Sequence, residues 1–219
     1  MIRKVLLFVF VVTVLACGGG PTIVDDPKFK VTWPARTRAN LNGVNSAVSA
    51  RVTFLNAAPT GANVVVNIQR IPNPVAYTQI YRVGQRLNTI APHATFEFFG
   101  GNGQTGPVVA SGTADLVWYS TTMDMVNIAL DRAVNSVRII PPAPITTSTP
   151  PFDMLFVAED ADSNALALTP GSAKWSVVSG GANLQLSPSG RLTPVKAGVS
   201  VIKAEVDGVS SDLFTVTIN

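Results

Sequence analysis

The sequence predicts an all-β protein made of two tandem antiparallel β-sandwich domains with Greek-key connections. Apolar and polar residues alternate with a period of two in several short runs after residue 27, as they do in strands with one buried face. The chain also holds 17 glycines and 16 prolines, a composition that favours frequent turns over long helices. A proline-rich run at 141–151 separates a longer part of the chain from a shorter one, which favours two domains.

Residues 1–16 have the pattern of a signal peptide. Arg3 and Lys4 give a positively charged start, an apolar run follows at 5–15, and Ala16 is a small residue at the predicted cleavage point. At a rise of 1.5 Å per residue, this run covers about half of a ~30 Å hydrocarbon core. We therefore expect the segment to be removed, which leaves basic and acidic side chains nearly balanced.

Cys17 is the single cysteine of the chain, so an internal disulfide and a cysteine-based metal cluster are excluded. The run Val14-Leu15-Ala16-Cys17 resembles the lipobox of bacterial lipoproteins. That resemblance implies a diacylglycerol on the Cys17 thiol and cleavage just before it. Residues 17–27 would then be the lipidated cysteine and a flexible, glycine-rich tether. The alternative is an ordinary signal peptide followed by an incidental cysteine.

The predicted first domain, 28–140, consists of short strands. Phe29, Val31 and Trp33 alternate with polar residues, and the same period recurs further along the chain. The remaining predicted strands are 48–54, 64–68, 75–83, 94–99, 108–119, 123–130 and 136–140. Asn42-Gly43, the glycines at 100–103 and Gly106-Pro107 supply turns between them. Seven or eight antiparallel strands of this length favour a sandwich.

The segment 141–151 is the predicted linker. Five of its eleven residues are proline, so we expect an extended, semi-rigid spacer of up to roughly 34 Å. Charge also differs across it, with a basic excess in 28–140 and an acidic excess in 151–219.

The predicted second domain, 152–219, contains Trp175-Ser176, the run from Leu186 to Gly198, a strand at 201–206 and a closing strand at 214–218. These features resemble a bacterial Ig-like repeat of group 2, called BIG2, in which Trp175 would fill the core. Such repeats occur in adhesins and other bacterial surface proteins as spacers or binding modules. The resemblance thus implies an Ig-like sandwich and a surface setting.

Residues for catalysis are few. His93 is the only histidine, and we expect it to be a solvated loop residue at the start of a strand. The acidic residues of the first domain are Glu97, Asp115, Asp124 and Asp131. Glu97 and Asp115 lie on the polar sides of their strands, so we expect solvation rather than an acid and base pair for glycoside hydrolysis. We therefore expect no enzyme activity and no cofactor.

Asp160, Asp162 and Asn164 have the spacing that begins a calcium-binding loop. Ala165 stands where that loop needs glycine, and Gly171 where it needs a bidentate glutamate. An acidic turn is favoured, and a looser calcium site that also uses Glu159 is the alternative.

Two surface features could bind a ligand. Six arginines give the first domain its positive balance, namely Arg36, Arg38, Arg51, Arg70, Arg82 and Arg86. We expect these arginines to face solvent from their strands, and the alternative is that they bind an anionic partner. Five aromatic residues could stack on sugar rings, namely Trp33, Tyr77, Tyr81, Trp118 and Tyr119. Trp33 and Trp118 fit the apolar faces of their strands, so core packing is favoured.

Together these features predict an exported, lipid-anchored envelope protein that acts as a structural or adhesive interaction module. The alternative is a carbohydrate-binding module at the cell wall or on extracellular glycan. The expected partners are the membrane, through acyl chains on Cys17, and another envelope protein or a glycan, but not nucleic acid. Gly18 lacks the aspartate that resembles an inner-membrane retention signal, so in a cell with two membranes we expect the outer membrane or the cell surface.

Overall fold

The structure is a computed structural model with side chains, and its described residues are almost entirely strands and turns. The described ranges are 23–24, 27–35, 43–72, 75–88, 93–116, 118–119, 122–123, 126–130 and 132–219. Within them the only helices are two 3-10 turns, Gly43–Ser46 and Asn102–Gln104, so the all-β prediction is confirmed. None of the helices in these ranges is long and apolar enough to span a bilayer.

Twelve strands precede the proline-rich segment, counting only described residues. They are β1 (Ile23–Val24), β2 (Lys28–Trp33), β3 (Ser49–Phe54), β4 (Val64–Gln69), β5 (Tyr77–Arg82), β6 (Leu87–Asn88), β7 (His93–Phe99), β8 (Val108–Asp115), β9 (Trp118–Tyr119), β10 (Thr122–Met123), β11 (Val126–Leu130) and β12 (Ser136–Ile139).

The remaining strands lie after that segment. They are β13 (Phe152–Asp153), β14 (Phe156–Glu159), β15 (Ala165–Ala167), β16 (Ala173–Ser179), β17 (Leu184–Leu186), β18 (Arg191–Pro194), β19 (Gly198–Val206), β20 (Val209–Ser210) and β21 (Phe214–Ile218).

An antiparallel four-stranded sheet with the order β4-β3-β7-β8 forms one layer of the first half. The alternation in β3 works as the sequence predicts, since Val52 and Phe54 are buried while Arg51 and Thr53 are partly exposed. Side chains that point to opposite faces on successive residues give the sheet one apolar face and one polar face. The apolar face packs on the core that also contains Trp33 of β2.

A second sheet, of six strands, crosses the proline-rich segment. Its order is β12-β14-β15-β11-β2-β5, so β14 and β15 from the predicted second domain lie among strands of the first. β11 pairs in parallel with both β2 and β15, and the other pairings are antiparallel. Backbone hydrogen bonding therefore continues across 141–151.

This shared sheet separates two hydrophobic cores. Ile128 and Leu130 of β11 face the first core together with Ala165 and Ala167 of β15. Ala129, the residue between Ile128 and Leu130, belongs to the second core. Leu166, the residue between Ala165 and Ala167, belongs to it as well. Because neighbouring residues of a strand point to opposite faces, one layer of backbone serves both cores.

The four-stranded sheet joins the shared sheet through β8. Ser111 and Leu168 exchange two backbone N–H···O bonds of 2.8 Å each. Next to this bridge, a Cβ atom added to Gly112 would lie 2.4 Å from the carbonyl oxygen of Leu166 and 2.6 Å from the Phe96 ring. Only glycine allows the two backbones to approach this closely.

The second core is closed by two further sheets. β19 lies between β16 on one side and β20 and β21 on the other, and β18 lies between β13 and β17. Trp175 of β16 is buried and meets Phe156 edge to face, with ring centroids 6.0 Å apart. Gly190 has φ of +95°, and a Cβ there would lie 2.5 Å from Trp175 Nε1. The buried position expected for Trp175 is therefore observed, and a glycine turn makes room for its ring.

The proline-rich segment is fixed near its middle. Ile145 is buried in the second core and forms a parallel bridge with Ile218 of β21. Asn219 N–H donates to the Ile145 carbonyl at 3.0 Å, and Thr147 N–H donates to the Asn219 carbonyl at 3.2 Å. The predicted spacer is thus anchored at its midpoint to the last strand.

Candidate functional site

The predicted lipidation site, Cys17, lies outside the described residues. The same holds for the predicted signal peptide, 1–16, and for most of the predicted tether at 17–27. Acylation of Cys17 therefore stays a prediction that rests on the sequence.

His93 belongs to a cluster of ionisable side chains that links the hairpin of β7 and β8 to β12. It is the first residue of β7 and lies opposite Asp115 of β8, with 2.9 Å between His93 Nδ1 and Asp115 Oδ1. Arg138 of β12 donates from Nη2 to the other oxygen of Asp115. Only 19% of the His93 side chain is exposed. The expectation of a solvated loop histidine is wrong, because the hairpin register of β7 and β8 gives the imidazole a carboxylate partner.

An apolar cavity of about 490 Å³ opens beside His93. Its lining comes from residues 140–145 and 149–155, so both ends of the proline-rich segment contribute to it. The lining carboxylate, Asp153, pairs with Arg191 at 3.2 Å. The cavity therefore combines apolar walls with one imidazole whose ring nitrogen is already bonded.

Glu97 and Asp115 do not form a carboxylate pair. Asp115 lies opposite His93, whereas Glu97 lies opposite Ser111, four residues further along β7. At about 3.3 Å per residue, the two acids are roughly 13 Å apart along the strand. Glycosidases need separations of about 5–9.5 Å. Glu97 instead pairs with Arg51, with 3.5 Å between Glu97 Oε2 and Arg51 Nη1. The other two acidic candidates, Asp124 and Asp131, lie outside the described residues.

A cleft of about 440 Å³ with a mixed polar and apolar lining lies between the two halves. Thr95 and Glu97 of β7 and Ser111 and Thr113 of β8 form its floor as two adjacent cross-strand pairs. The opposite wall includes three hydroxyl side chains, those of Thr169, Ser172 and Ser189. Sequence analysis missed this cleft because its lining combines β7 and β8 with segments that begin 40 residues further along the chain. Its floor residues read individually as ordinary solvent-side strand positions.

The Asp160 turn is closed by hydrogen bonds. Asp160 Oδ1 accepts the backbone N–H groups of Asp162 and Asn164, both at 2.9 Å, and the Asn164 side-chain amide donates to both carboxylate oxygens. Arg132 Nη1 lies 3.4 Å from Asp160 and 2.9 Å from Asp162. Burial acts to raise the pKa of Asp160, but the Asn164 and Asp162 hydrogen bonds and the Arg132 charge outweigh it, so the pKa lies below its ordinary value. These donors occupy the oxygens that a calcium ion would need.

The arginines do not share one environment. Arg70 is buried, donates to the carbonyls of Ala47 and Pro34, and lies over the Trp33 ring at 5.4 Å. The expectation that it faces solvent is wrong, because its guanidinium is packed between main-chain carbonyls and aromatic rings. Arg51 pairs with Glu97, Arg82 and Arg86 are exposed, and Arg36 and Arg38 lie outside the described residues.

The aromatic residues pack inward. Trp33 is fully buried, as expected, and its Nε1–H donates to the Tyr81 hydroxyl at 3.1 Å. Tyr81 stacks on Phe29 with ring centroids 5.5 Å apart, and burial raises the pKa of Tyr81 to about 12 against the lowering effect of the Trp33 bond. The Tyr77 hydroxyl donates to the Ile71 carbonyl at 2.8 Å. Both tyrosines pack against the first core, while the side chains of Trp118 and Tyr119 lie outside the described part.

Comparison with known proteins leaves the family open. No model of a known protein family matches the chain, and no curated protein matches it. Among solved structures, the chain is similar to the S-layer protein rSbsC(31-844), with 10% identity and a TM-score of 0.34 over 90% of this chain. A structure of domains 1-6 of the surface layer protein SbsC gives 11% identity and the same TM-score. The chain spans 40% of the length of each, and at this TM-score the similarity carries no argument about function.

Proposed function

We propose that this chain is a lipid-anchored protein of the bacterial cell envelope that acts as a structural or adhesive interaction module outside the cytoplasm. The observation that carries the proposal is the position of Cys17, the only cysteine, directly after an apolar run and Ala16. In an exported chain without a second cysteine, that thiol cannot form an internal disulfide. Acylation would give the thiol a role instead.

The arrangement of the folded part supports a displayed module. The two cores share the six-stranded sheet, and Ile145 ties the proline-rich segment to β21. A body built in this way holds its surfaces in a fixed relation to one another, which suits a module that presents contact surfaces to a partner. The glycine-rich tether after Cys17 would allow that body to reorient above the bilayer.

A non-catalytic role is part of the same proposal. Asp115 contacts both His93 and Arg138, and Glu97 is paired with Arg51. Groups held in such pairs stabilise the junction and the sheet face, and neither set places a nucleophile beside a general base.

Metabolic labelling with a fatty-acid probe tests the anchor. We expect the full chain to take up label and to sediment with membranes, and we expect Cys17→Ser to lose both. Thr22→Ser in the predicted tether is the matched control, since it leaves the cysteine in place and should label normally. Label uptake and membrane sedimentation that survive in Cys17→Ser would overturn the proposal.

Carbohydrate binding is the second candidate function, and the hydroxyl-bearing cleft between the two halves is the observation that favours it. Four floor side chains and three wall hydroxyls offer hydrogen bonds to a polyhydroxylated ligand in a volume typical of small-ligand sites. A glycan array with the full chain tests this candidate. Carbohydrate binding predicts a signal on the array that Glu97→Gln weakens. Lys174→Gln, at an exposed position of β16, should leave that signal unchanged. A blank array would remove it.

A further inference from the structure

One edge of the four-stranded sheet is open. The strand β4 has β3 as its neighbour on one side, and within the described ranges no strand pairs with its other side. Two hydrogen bonds fix which backbone groups face outward. Arg70 N–H donates to the Val48 carbonyl at 2.8 Å, and Leu55 N–H donates to the His93 carbonyl at 3.0 Å. Odd-numbered residues of β3 therefore bond to β7 and even-numbered ones bond to β4.

The same alternation applies to β4 itself. Residues 64, 66 and 68 bond to β3, since they pair with residues 54, 52 and 50. The N–H and C=O groups of Val65 and Asn67 consequently point away from the sheet. Their side chains lie on the polar face, where the Val65 side chain is 49% exposed and Asn67 is exposed.

β4 also lacks the features that keep sheet edges from pairing. Its six residues, Val-Val-Val-Asn-Ile-Gln, include no charge, proline or glycine, and its register with β3 is unbroken. Short, uncharged runs of high β propensity are the ones that add to other strands.

Every other described edge strand of four or more residues is guarded. β5 carries Arg82, β12 carries Arg138, and β16 carries Lys174 and a bulge between Val177 and Ser179. The two remaining edges are bridged by backbone, β8 through Leu168 and β21 through Ile145. Among the described edge strands of this length, β4 is therefore the open one.

We propose that β4 pairs antiparallel with β4 of a second copy of this chain. The proposal deepens the proposed function, because it names the contact surface of the interaction module. A two-fold axis at Val66 would place Val65 of each copy opposite Asn67 of the other. The two pairs exchange four N–H···O=C bonds and extend the sheet to eight strands.

A second copy fits this edge better than a charged partner strand because the pairing brings no like charges together. On the polar face, Arg51 lies opposite Asn67, one strand inside the edge, and is paired with Glu97. Arg70, which follows β4 directly, is buried. In the dimer, the two copies of Arg51 stay three strand spacings apart, roughly 14 Å, which exceeds the screening length of about 8 Å at physiological salt. Copies anchored to one membrane would meet at high effective concentration, so a weak edge contact is sufficient.

Sedimentation of the full chain in density-matched detergent, over a range of protein concentrations, tests the pairing. We expect a concentration-dependent monomer and dimer equilibrium. Val65→Lys should weaken self-association at least about tenfold, because it places ammonium groups against an uncharged edge. Val178→Lys is the matched control, since Val178 is 52% exposed on β16, and it should leave self-association unchanged.

Hydrogen exchange of the unmodified chain gives a readout that needs no variant. The amides of Val65 and Asn67 should exchange more slowly as protein concentration rises, while exposed amides in the turn at 207–208 should not change. A chain that stays monomeric, a dimer that Val65→Lys does not weaken, or exchange of both amides that is independent of concentration would overturn the proposal. None of these outcomes depends on acylation of Cys17, so they are separable from the labelling test.

Discussion

The indole N–H of Trp33 donates a 3.1 Å hydrogen bond to the hydroxyl of Tyr81, across the pair of strands β2 and β5. Trp33 is fully buried, so this bond satisfies a donor that has no access to water. The Tyr81 hydroxyl in turn donates to Gln79 Oε1 at 2.8 Å.

Tyr81→Phe should therefore destabilise the protein by about 1–3 kcal/mol, because it leaves the buried Trp33 N–H unsatisfied. Denaturant unfolding followed by tryptophan fluorescence measures the change. Tyr77→Phe is the control, since the Tyr77 hydroxyl bonds to the exposed Ile71 carbonyl, which water can satisfy instead. Equal losses for the two variants would contradict the role assigned to the Trp33 bond.

Stability should fall at alkaline pH through Tyr81. Burial raises the pKa of Tyr81 to about 12 in the folded protein, against 10.0 for an ordinary tyrosine. The folded state then holds the phenolic proton more tightly than the unfolded state, so the contribution is complete below pH 10 and is lost as pH rises toward 12. Unfolding free energies measured across this range should fall less steeply in Tyr81→Phe, and parallel slopes would contradict the prediction.

Gly112→Ala should destabilise the junction between β8 and β15. The new methyl group would lie 2.4 Å from the Leu166 carbonyl oxygen, which belongs to the backbone and cannot move aside as a side chain can. Overpacking of this kind costs about 1–3 kcal/mol. Gly181→Ala is the matched control, because the nearest atom to its added Cβ is 3.8 Å away. Thermal unfolding of both variants checks the prediction, and a neutral Gly112→Ala would refute the close approach.

Acidification should weaken the turn around Asp160. The pKa of Asp160 is held below its ordinary value of 3.8, despite burial, by hydrogen bonds from Asn164 and Asp162 and by Arg132. The stabilising contribution of the carboxylate is therefore present above pH 3.8 and is lost as pH falls through the folded pKa.

Asp160→Asn should remove that acid dependence and lower the free energy of unfolding by about 1.5–3 kcal/mol near neutral pH, because the turn loses charge-assisted hydrogen bonds.

A calcium titration, with the melting temperature as the readout, tests whether the same turn binds a metal ion. We expect no shift for the unmodified chain, since N–H donors and Arg132 already occupy the carboxylate. A calcium-dependent rise that Asp160→Asn abolishes would favour the looser metal site.

Period-two alternation made most of the strands readable from the sequence. In β2 and β3 each apolar residue faces the core, and Trp33 is buried for that reason. Gly190, in the run from Leu186 to Gly198 on which the Ig-like resemblance rests, has φ of +95°, a conformation that other residues avoid.

Contacts between distant segments were not readable. The burial of Arg70 depends on rings from β2 and β5, and the sequence beside it gives no sign of it. Parallel pairing of β11 with β15 joins segments separated by the proline-rich run, and strands buried on both faces carry no alternation that would reveal a partner. The contact between His93 and Asp115 would have been easier to predict from the sequence, because it follows from the hairpin register around the glycine-rich turn at 100–106.

The six-stranded sheet also bears on how such a chain could have been assembled during evolution. Recombination at the proline-rich run would separate β11 from β15 and β12 from β14, so each fragment would expose backbone groups and lose some residues of its core. We therefore expect a gene fusion that keeps only one half to give a less stable fold than one that keeps both.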